Sequence, residues 1–109
     1  MINAGHLTKE VLTMYANIPN TVRKQIYRRD GYRCAICDST KYLQIHHVIP
    51  RGEGGSDYPE NLICLCSVCH GQAHGVNMYA HPDFNPAYME QACIEYLSDL
   101  YAGEWYPYK

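Results

Sequence analysis

Two Cys-x-x-Cys pairs restrict the fold of this chain more than any other feature of its sequence. Cys34 is paired with Cys37 and Cys66 with Cys69, and residues 38–65 separate the pairs. Two thiolates at this spacing on a tight turn bind one metal ion at neighbouring tetrahedral vertices, with sulfur about 2.3 Å from zinc. Because four thiolates leave no vertex for water, we expect a structural Zn²⁺ that clamps the intervening segment against the second pair.

The alternatives for these cysteines are two disulfides or a redox-active Cys-x-x-Cys pair, and neither explains why the spacing occurs twice. The first residues lack the basic segment and the apolar stretch of a secretory signal, so we expect a cytoplasmic protein whose cysteines stay reduced. Cys64 and Cys93 lie outside the pattern, and each is predicted to be a small apolar core residue.

The size and composition of the chain predict one soluble domain. It has 109 residues, of which 47% are hydrophobic and 18% are charged, and these values exclude charge-driven disorder. No apolar run reaches the roughly 20 residues of a membrane-spanning helix, so we expect no membrane partner. We divide the domain into an N-terminal helical extension (1–20), a central core (21–76) and a C-terminal helical extension (77–109) that packs on the core.

Hydrophobic spacing and turn residues predict an α+β arrangement. Apolar residues at helical spacing indicate a first helix near residues 8–18. A second helix is predicted to begin with Thr21 as its cap and to end at Gly31, with its basic side chains pointing outward. Residues 42–48 and 62–65 are β-prone and predict two strands joined by a long loop, and residues 69–75 suit a short helix.

Asn85 and Pro86 predict the start of a last helix, as its cap and its first-turn residue, and Gly103 is predicted to close it. The predicted core face of this helix comprises Met89, Ala92, Cys93, Tyr96, Leu97, Leu100 and Tyr101. No coiled-coil heptad supports pairing through this face, so a monomer and a homodimer both stay open.

The formal net charge of −2 conceals a division of charge along the chain. Seven of the nine Lys and Arg residues lie between Arg23 and Arg51, and eight of the eleven acidic residues lie between Glu53 and Glu104. One face can therefore attract a polyanion such as DNA while another repels it. Two solvated surfaces without a partner are the alternative, so charge alone permits nucleic acid without requiring it.

Four histidines form a second pattern. His46 and His47 are consecutive in a predicted strand, so their side chains point to opposite faces and must serve different purposes. His70 and His74 are four apart in a predicted helix, so both imidazoles can approach one ion. One strand histidine added to them gives three nitrogen ligands and the open position that a catalytic metal requires. His6 and His81 stand outside this set and are predicted to be surface or core residues.

This pattern resembles the HNH endonuclease family. The resemblance rests on His46-His47 in residues 43–56, on Asn61 at the start of residues 61–70, and on the helical His70 and His74. It covers roughly residues 22–75. The fold it implies is a ββα-metal (His-Me finger) core, here with a four-cysteine zinc clamp and flanking N- and C-terminal helices.

The resemblance implies metal-dependent hydrolysis of DNA phosphodiester bonds, which leaves 5′-phosphate and 3′-hydroxyl ends. It assigns one divalent ion to His46, His70 and His74, with His70 thereby part of the catalytic set, and it makes His47 the general base. It implies that Asn61 orients the loop that carries the base, through hydrogen bonds from its side-chain amide. In some branches the Asn is itself a metal ligand, but three histidines favour the orienting role here.

The activating ion stays open. Some branches of the family carry Asp in place of His46, and carboxylate oxygen favours Mg²⁺, whereas an all-imidazole shell favours Mn²⁺, Co²⁺, Ni²⁺ or Zn²⁺. We therefore expect one structural Zn²⁺ together with one catalytic ion drawn from Mg²⁺, Mn²⁺, Co²⁺, Ni²⁺ and Zn²⁺.

The predicted DNA contacts are the basic residues near the core, namely Arg23, Lys24, Arg28, Arg29, Arg33 and Arg51. Phosphate contacts carry no sequence information, so we expect nicking or double-strand cleavage with low sequence specificity. Short chains of this kind resemble phage and prophage proteins that accompany DNA packaging, which makes a phage terminase a candidate partner. A catalytically inactive, zinc-stabilised DNA-binding module is the alternative, and a restriction enzyme for modified bases would need an added recognition domain.

Overall fold

The computed structural model describes residues 18–76 and 82–109. The helix predicted near residues 8–18 lies outside the described residues except for Ile18, and so do His6 and His81. The described elements, in chain order, are helix α1 (Asn20–Arg29), strands β1 (Leu43–His47) and β2 (Leu62–Cys66), and helices α2 (Ser67–Ala73) and α3 (Pro86–Leu100). The predicted α+β class, with two strands followed by a short helix, is confirmed.

The two strands form an antiparallel hairpin. Leu43 pairs with Cys66 and His47 pairs with Leu62, which fixes the register of every residue between them. Every residue of β2 is buried. Because side chains alternate along a strand, Gln44 and His46 share one face of the sheet, whereas Ile45 and His47 share the other.

Helices cover both faces of this hairpin. On one face, Ile26 of α1 packs with Leu62 and Cys64. On the other face, Ile63 and Leu65 pack against α3 through Met89, Cys93 and Leu97, all of which are fully buried. The second strand is therefore the centre of a three-layer arrangement, and this explains why it is apolar along its whole length.

A buried ion pair joins the end of α1 to the rest of the core. The Arg29 guanidinium contacts both carboxylate oxygens of Asp30 at 2.8 and 3.0 Å, and it also donates to the carbonyl oxygens of Pro59 and Leu62 and to the Tyr101 hydroxyl. The Asp30 carboxylate accepts the backbone N–H of Cys64 in turn. Only 15% of the Arg29 side chain is exposed, so the prediction that it points outward is wrong.

The helix boundaries mostly follow the predicted capping residues. Asn85 accepts the N–H of Tyr88 at the start of α3, and Gly31 has the positive φ of 73° that ends a helix, as predicted. Thr21 does not cap α1, because the helix begins one residue earlier at Asn20 and has no side-chain cap. The prediction that Leu100 lies on the core face of α3 is wrong, because Leu100 is 44% exposed and the neighbouring Tyr101 packs on the core instead.

A long loop connects the strands and contains two 3₁₀ turns, Arg51–Glu53 and Pro59–Asn61. Asn61 fastens this loop from the inside. Its side-chain amide donates to the carbonyl oxygens of Ile49 and Ser56 at 2.9 Å, and its side-chain oxygen accepts the N–H of Ile49 at 2.8 Å. Asn61 is fully buried, so these three hydrogen bonds are shielded from water.

Gly55 lies directly against the backbone of Ile49, just after the first strand. A Cβ atom on Gly55 would come within 1.8 Å of the Ile49 carbonyl oxygen and 2.8 Å of the Asn61 side-chain nitrogen. No side chain fits there, so this position requires glycine if the loop is to keep its path.

No helix within the two described ranges is both long and apolar enough to cross a bilayer.

Candidate metal centres and active site

The four predicted zinc ligands come together in the structure. The Sγ atoms of Cys34, Cys37, Cys66 and Cys69 all lie within 4.8 Å of one another, and those of Cys37 and Cys66 are 3.6 Å apart. Tetrahedral zinc with bonds of about 2.3 Å places its sulfur ligands about 3.8 Å apart. All six cysteines are free thiols, so the disulfide alternative finds no support. The spacing of the four sulfurs therefore fits one zinc ion.

The electrostatics of the four thiols also favour a cation between them. A hydrogen bond from the Cys69 thiol lowers the pKa of Cys34 to about 4, and the same contact raises the pKa of Cys69. Burial, assisted by the neighbouring sulfurs, raises the pKa of Cys37 to about 11. The Cys34 thiolate thus opposes the ionisation of Cys37 and Cys69, and a divalent cation bound between the sulfurs would remove this opposition.

His46, His70 and His74 form the second cluster of potential ligands. One ring nitrogen from each lies within 4.8 Å of the others, and the ring centroids are 4.9 to 5.2 Å apart. His46 projects from β1 towards α2, which carries His70, while His74 caps the end of that helix. Three nitrogens at this separation suit one divalent ion with positions left for other ligands.

The environment favours the neutral form of two of these imidazoles, His46 and His70, and the neutral form is the one that binds metal. Burial, with a further contribution from the neighbouring His70, His74 and His47, lowers the pKa of His46 to about 3. Burial and His74 also lower the pKa of His70. The Nδ1 atom of His70 is hydrogen-bonded to the side-chain oxygen of Gln44, so Nε2 is the nitrogen that would bind a metal.

His47 lies on the other face of β1 and contacts an acidic residue from the long loop. Its Nε2 atom is 2.8 Å from Oδ1 of Asp57. Because a carboxylate only accepts hydrogen bonds, Nε2 carries the proton of the neutral ring, and Nδ1 is the nitrogen that can take up a proton. The predicted separation of His46 and His47 onto opposite faces is thus present in the structure.

Arg51 completes this group. Its Nε atom is 2.9 Å from Oδ1 of Asp57, and its Nη2 atom is 3.3 Å from Oδ2. Burial alone would raise the pKa of Asp57, but hydrogen bonds from Arg51 and His47 outweigh burial and lower it. Asp57 therefore stays ionised and holds the His47 ring in one orientation.

One open cleft of about 330 Å³ gives access to both sets of histidines. Its walls include the three clustered histidines together with His47 and Arg51. Three potential metal ligands and a fourth imidazole that can accept a proton therefore line the same cleft, an arrangement that suits metal-assisted hydrolysis.

The predicted DNA-contact residues fall into different environments. Lys24 and Arg28 are exposed on α1, and Arg23 is half-buried on the same helix. Arg33 is exposed and lies 3.7 Å from Asp38, also exposed. Arg29 is a correction to the predicted set, because all of its guanidinium nitrogens bond within the protein.

Sequence reasoning missed two residues of the site, Gln44 and Asp57. Strand alternation alone signals Gln44, since it stands two residues before His46 and therefore shares its face. Nothing in the spacing signals Asp57, because its position depends on the path of the loop through Gly55 and Asn61.

Comparisons with known proteins agree with this geometry. The family model of the HNH endonuclease matches residues 34–75, which include both metal clusters and His47. The chain is 46% identical over 37 residues to the type IV methyl-directed restriction enzyme EcoKMcrA of Escherichia coli (strain K12), a match that covers 34% of this chain and 13% of that protein. It is 36% identical over 53 residues to Anaredoxin of Nostoc sp. (strain PCC 7120), which covers 48% of this chain and 70% of that protein. Residues 34–75 of the chain therefore belong to the HNH endonuclease family.

Proposed function

We propose that this chain is a metal-dependent endonuclease that hydrolyses DNA phosphodiester bonds with low sequence specificity. The observation that carries the proposal is the open cleft in which His47 lies beside His46, His70 and His74. Attack of water on a phosphodiester is assisted by a base that takes up the proton of the water and by a metal ion that stabilises the phosphate, and this cleft offers residues for both.

In this proposal His46, His70 and His74 hold one divalent ion. When bound, the ion neutralises charge on the scissile phosphate and stabilises the departing 3′ oxygen. Gln44 fixes the ring of His70 through Nδ1, as residues behind a metal ligand commonly do. The all-imidazole donor set favours Mn²⁺, Co²⁺, Ni²⁺ or Zn²⁺ over Mg²⁺.

His47 acts as the general base. Its Nδ1 atom accepts a proton from the attacking water, the new P–O bond forms, and the bond to the 3′ oxygen breaks. The departing 3′ oxygen takes up a proton from solvent, which leaves a 5′-phosphate and a 3′-hydroxyl. Asp57 stabilises the imidazolium that results, because its ionised carboxylate remains hydrogen-bonded to Nε2. Asn61 holds the loop that carries Asp57 and is a positioning residue in this scheme.

The DNA backbone is bound by the exposed basic side chains of α1, foremost Lys24 and Arg28. Arg23, Arg33 and Arg51 extend this basic surface. Contacts of this kind position a duplex without reading its bases, and this is why we propose low sequence specificity. The four-cysteine zinc contributes to folding and takes no part in the chemistry.

The direct test is plasmid cleavage with the purified protein and each candidate metal. Supercoiled plasmid is incubated with Mg²⁺, Mn²⁺, Co²⁺, Ni²⁺ or Zn²⁺, and nicked and linear products are separated on a gel. We expect nicking by the wild type and a loss of about 10²- to 10⁴-fold in His47→Ala. Methylated and unmethylated plasmids should be cut equally, a relevant comparison because one relative is a methyl-directed restriction enzyme.

A zinc-stabilised module that binds DNA without cutting it is the second candidate, and the basic surface of α1 favours it as much as the enzyme. The same assay separates the two. Binding without metal-dependent cleavage, or cleavage that His47→Ala leaves unchanged, would support the module and contradict the nuclease.

A further inference from the structure

The segment 105–109 lies against the outer side of the loop that carries Asp57. It falls outside residues 34–75, the part of the chain that the family model matches. Tyr108 and Gly55 form an isolated antiparallel bridge. The loop is therefore held from two sides, by Asn61 on the inside and by this segment on the outside.

Three hydrogen bonds connect the segment to the loop on both sides of Asp57. Before Asp57, the N–H of Lys109 donates to the Gly54 carbonyl oxygen at 3.2 Å, and the N–H of Ser56 donates to the Pro107 carbonyl oxygen at 2.9 Å. After it, the indole N–H of Trp105 donates to the Glu60 carbonyl oxygen. The acid that orients His47 thus sits between the points of attachment.

The segment is itself anchored to the core. The Trp105 ring packs against the buried cluster that contains Met89 and Leu97 of α3, and Pro107 is buried. Just before the segment, the Tyr101 hydroxyl accepts a hydrogen bond from Arg29, and Arg29 also donates to the Pro59 carbonyl oxygen in the same loop. The segment therefore connects the loop to the packed core around α3 and can restrict the movement of the loop.

We propose that residues 105–109 are a positioning strap for the general base. The strap fixes the loop backbone around Asp57, Asp57 fixes the His47 ring, and the ring in turn presents Nδ1 to the attacking water. Without the strap, the Gly54 carbonyl and the Ser56 N–H lose their partners, so the loop backbone keeps its inner attachments through Asn61 and Arg29 and loses the outer ones. This inference rests on the proposed role of His47.

Single-bond variants test the strap with little risk to folding. Lys109→Pro removes the N–H that donates to Gly54, while Lys109→Ala keeps that N–H and is the matched control. Trp105→Phe removes the indole N–H and keeps an aromatic ring. Deletion of residues 107–109 removes both backbone hydrogen bonds of the bridge and is the strongest variant.

Two readouts are measured on each variant, with circular dichroism and zinc content as checks on folding. The first is kcat and KM for plasmid nicking. The second is the ¹⁵N spectrum of His47, which reports which ring nitrogen carries the proton and needs no catalysis. We expect Lys109→Pro and Trp105→Phe to lower kcat about 3- to 10-fold and the deletion about 10- to 100-fold, with KM unchanged. The Nε2–H form of His47 should lose population in the same order, and Lys109→Ala should match the wild type.

The strap is contradicted if the folded, zinc-loaded variants keep kcat within about twofold of the wild type and leave the His47 spectrum unchanged. If the deletion variant fails to fold, the kcat values and His47 spectra of Lys109→Pro and Trp105→Phe decide whether the strap positions the base. Equal nicking by the wild type and His47→Ala would overturn the proposed function instead, and in that case the ¹⁵N spectrum alone still decides whether the strap orients the ring.

Discussion

The Nε2 atom of His47 lies 2.8 Å from Oδ1 of Asp57, while the neighbouring His46 on the opposite face of β1 approaches His70 and His74. Strand alternation thus gives two consecutive histidines separate partners. One imidazole belongs to a cluster of nitrogens, and the other belongs to an imidazole–carboxylate pair.

Replacing Asp57 tests whether this pair matters for catalysis. We expect Asp57→Ala to lower kcat for plasmid nicking about 10- to 100-fold, because the His47 ring loses the group that fixes its orientation. Asp57→Asn keeps an oxygen that accepts from Nε2 and should fall between Asp57→Ala and the wild type. Equal activity of all three proteins would show that the carboxylate is dispensable.

Gly55 should be irreplaceable, since a Cβ atom there would lie 1.8 Å from the Ile49 carbonyl oxygen. We expect Gly55→Ala to lower the free energy of unfolding by at least about 2 kcal/mol, because the loop must leave Asn61 to make room. Gly52 is the matched control, for it lies in the same loop and a Cβ atom there meets nothing within 4 Å. Urea denaturation measures both variants, and a Gly55→Ala protein as stable as Gly52→Ala would contradict the loop geometry.

Arg29 and Lys24 should give opposite results although both are basic residues of α1. Arg29→Ala removes the positive charge that pairs with the buried Asp30 carboxylate, so we expect a loss of about 3–5 kcal/mol in the free energy of unfolding. Thermal or urea denaturation measures this loss.

Lys24→Ala should instead leave stability unchanged, weaken DNA binding and reduce the salt dependence of log Kd by about one unit, because one phosphate contact is lost. Fluorescence anisotropy with a labelled duplex at several salt concentrations measures this effect. If the Lys24→Ala variant binds DNA with the affinity and salt dependence of the wild type, Lys24 does not contact the DNA backbone.

Removal of the proposed structural zinc should unfold the core. A structural zinc site contributes on the order of 10–16 kcal/mol to folding in small domains, and here its ligands join the start of the hairpin region to β2 and α2. We expect a strong chelator, or Cys66→Ser, to abolish the cooperative thermal transition in circular dichroism. Cys93→Ser is the control, since Cys93 is buried but lies outside the cluster. A zinc-free protein that keeps its transition would show that the four cysteines do not hold the fold together.

The parts of the fold and site that follow local spacing could be predicted from the sequence. The separation of Cys34 from Cys37, and of Cys66 from Cys69, fixes a geometry within a few residues, and so does the four-residue spacing of His70 and His74. The start of α3 at Asn85 and Pro86 depends in the same way on adjacent residues.

The parts that depend on distant residues could not be predicted. Arg29 looks like one more basic residue on the outside of a helix, but its partners Pro59, Leu62 and Tyr101 are 30 to 72 residues away. Asp57 likewise meets His47 only after the loop has folded back over Ile49. Patterns within a window of the sequence carry no information about such contacts, which arise when separate elements pack.

The most direct test of the central claim is to measure, on the same zinc-loaded samples, the binding of a second divalent ion and the rate of plasmid nicking. His47→Ala should bind one equivalent of Mn²⁺ as the wild type does and should nick at least about 100-fold more slowly. His74→Ala should lose both the second ion and the activity. Undiminished Mn²⁺ binding by His74→Ala, or undiminished nicking by His47→Ala, would contradict the division between a metal-holding triad and a separate base.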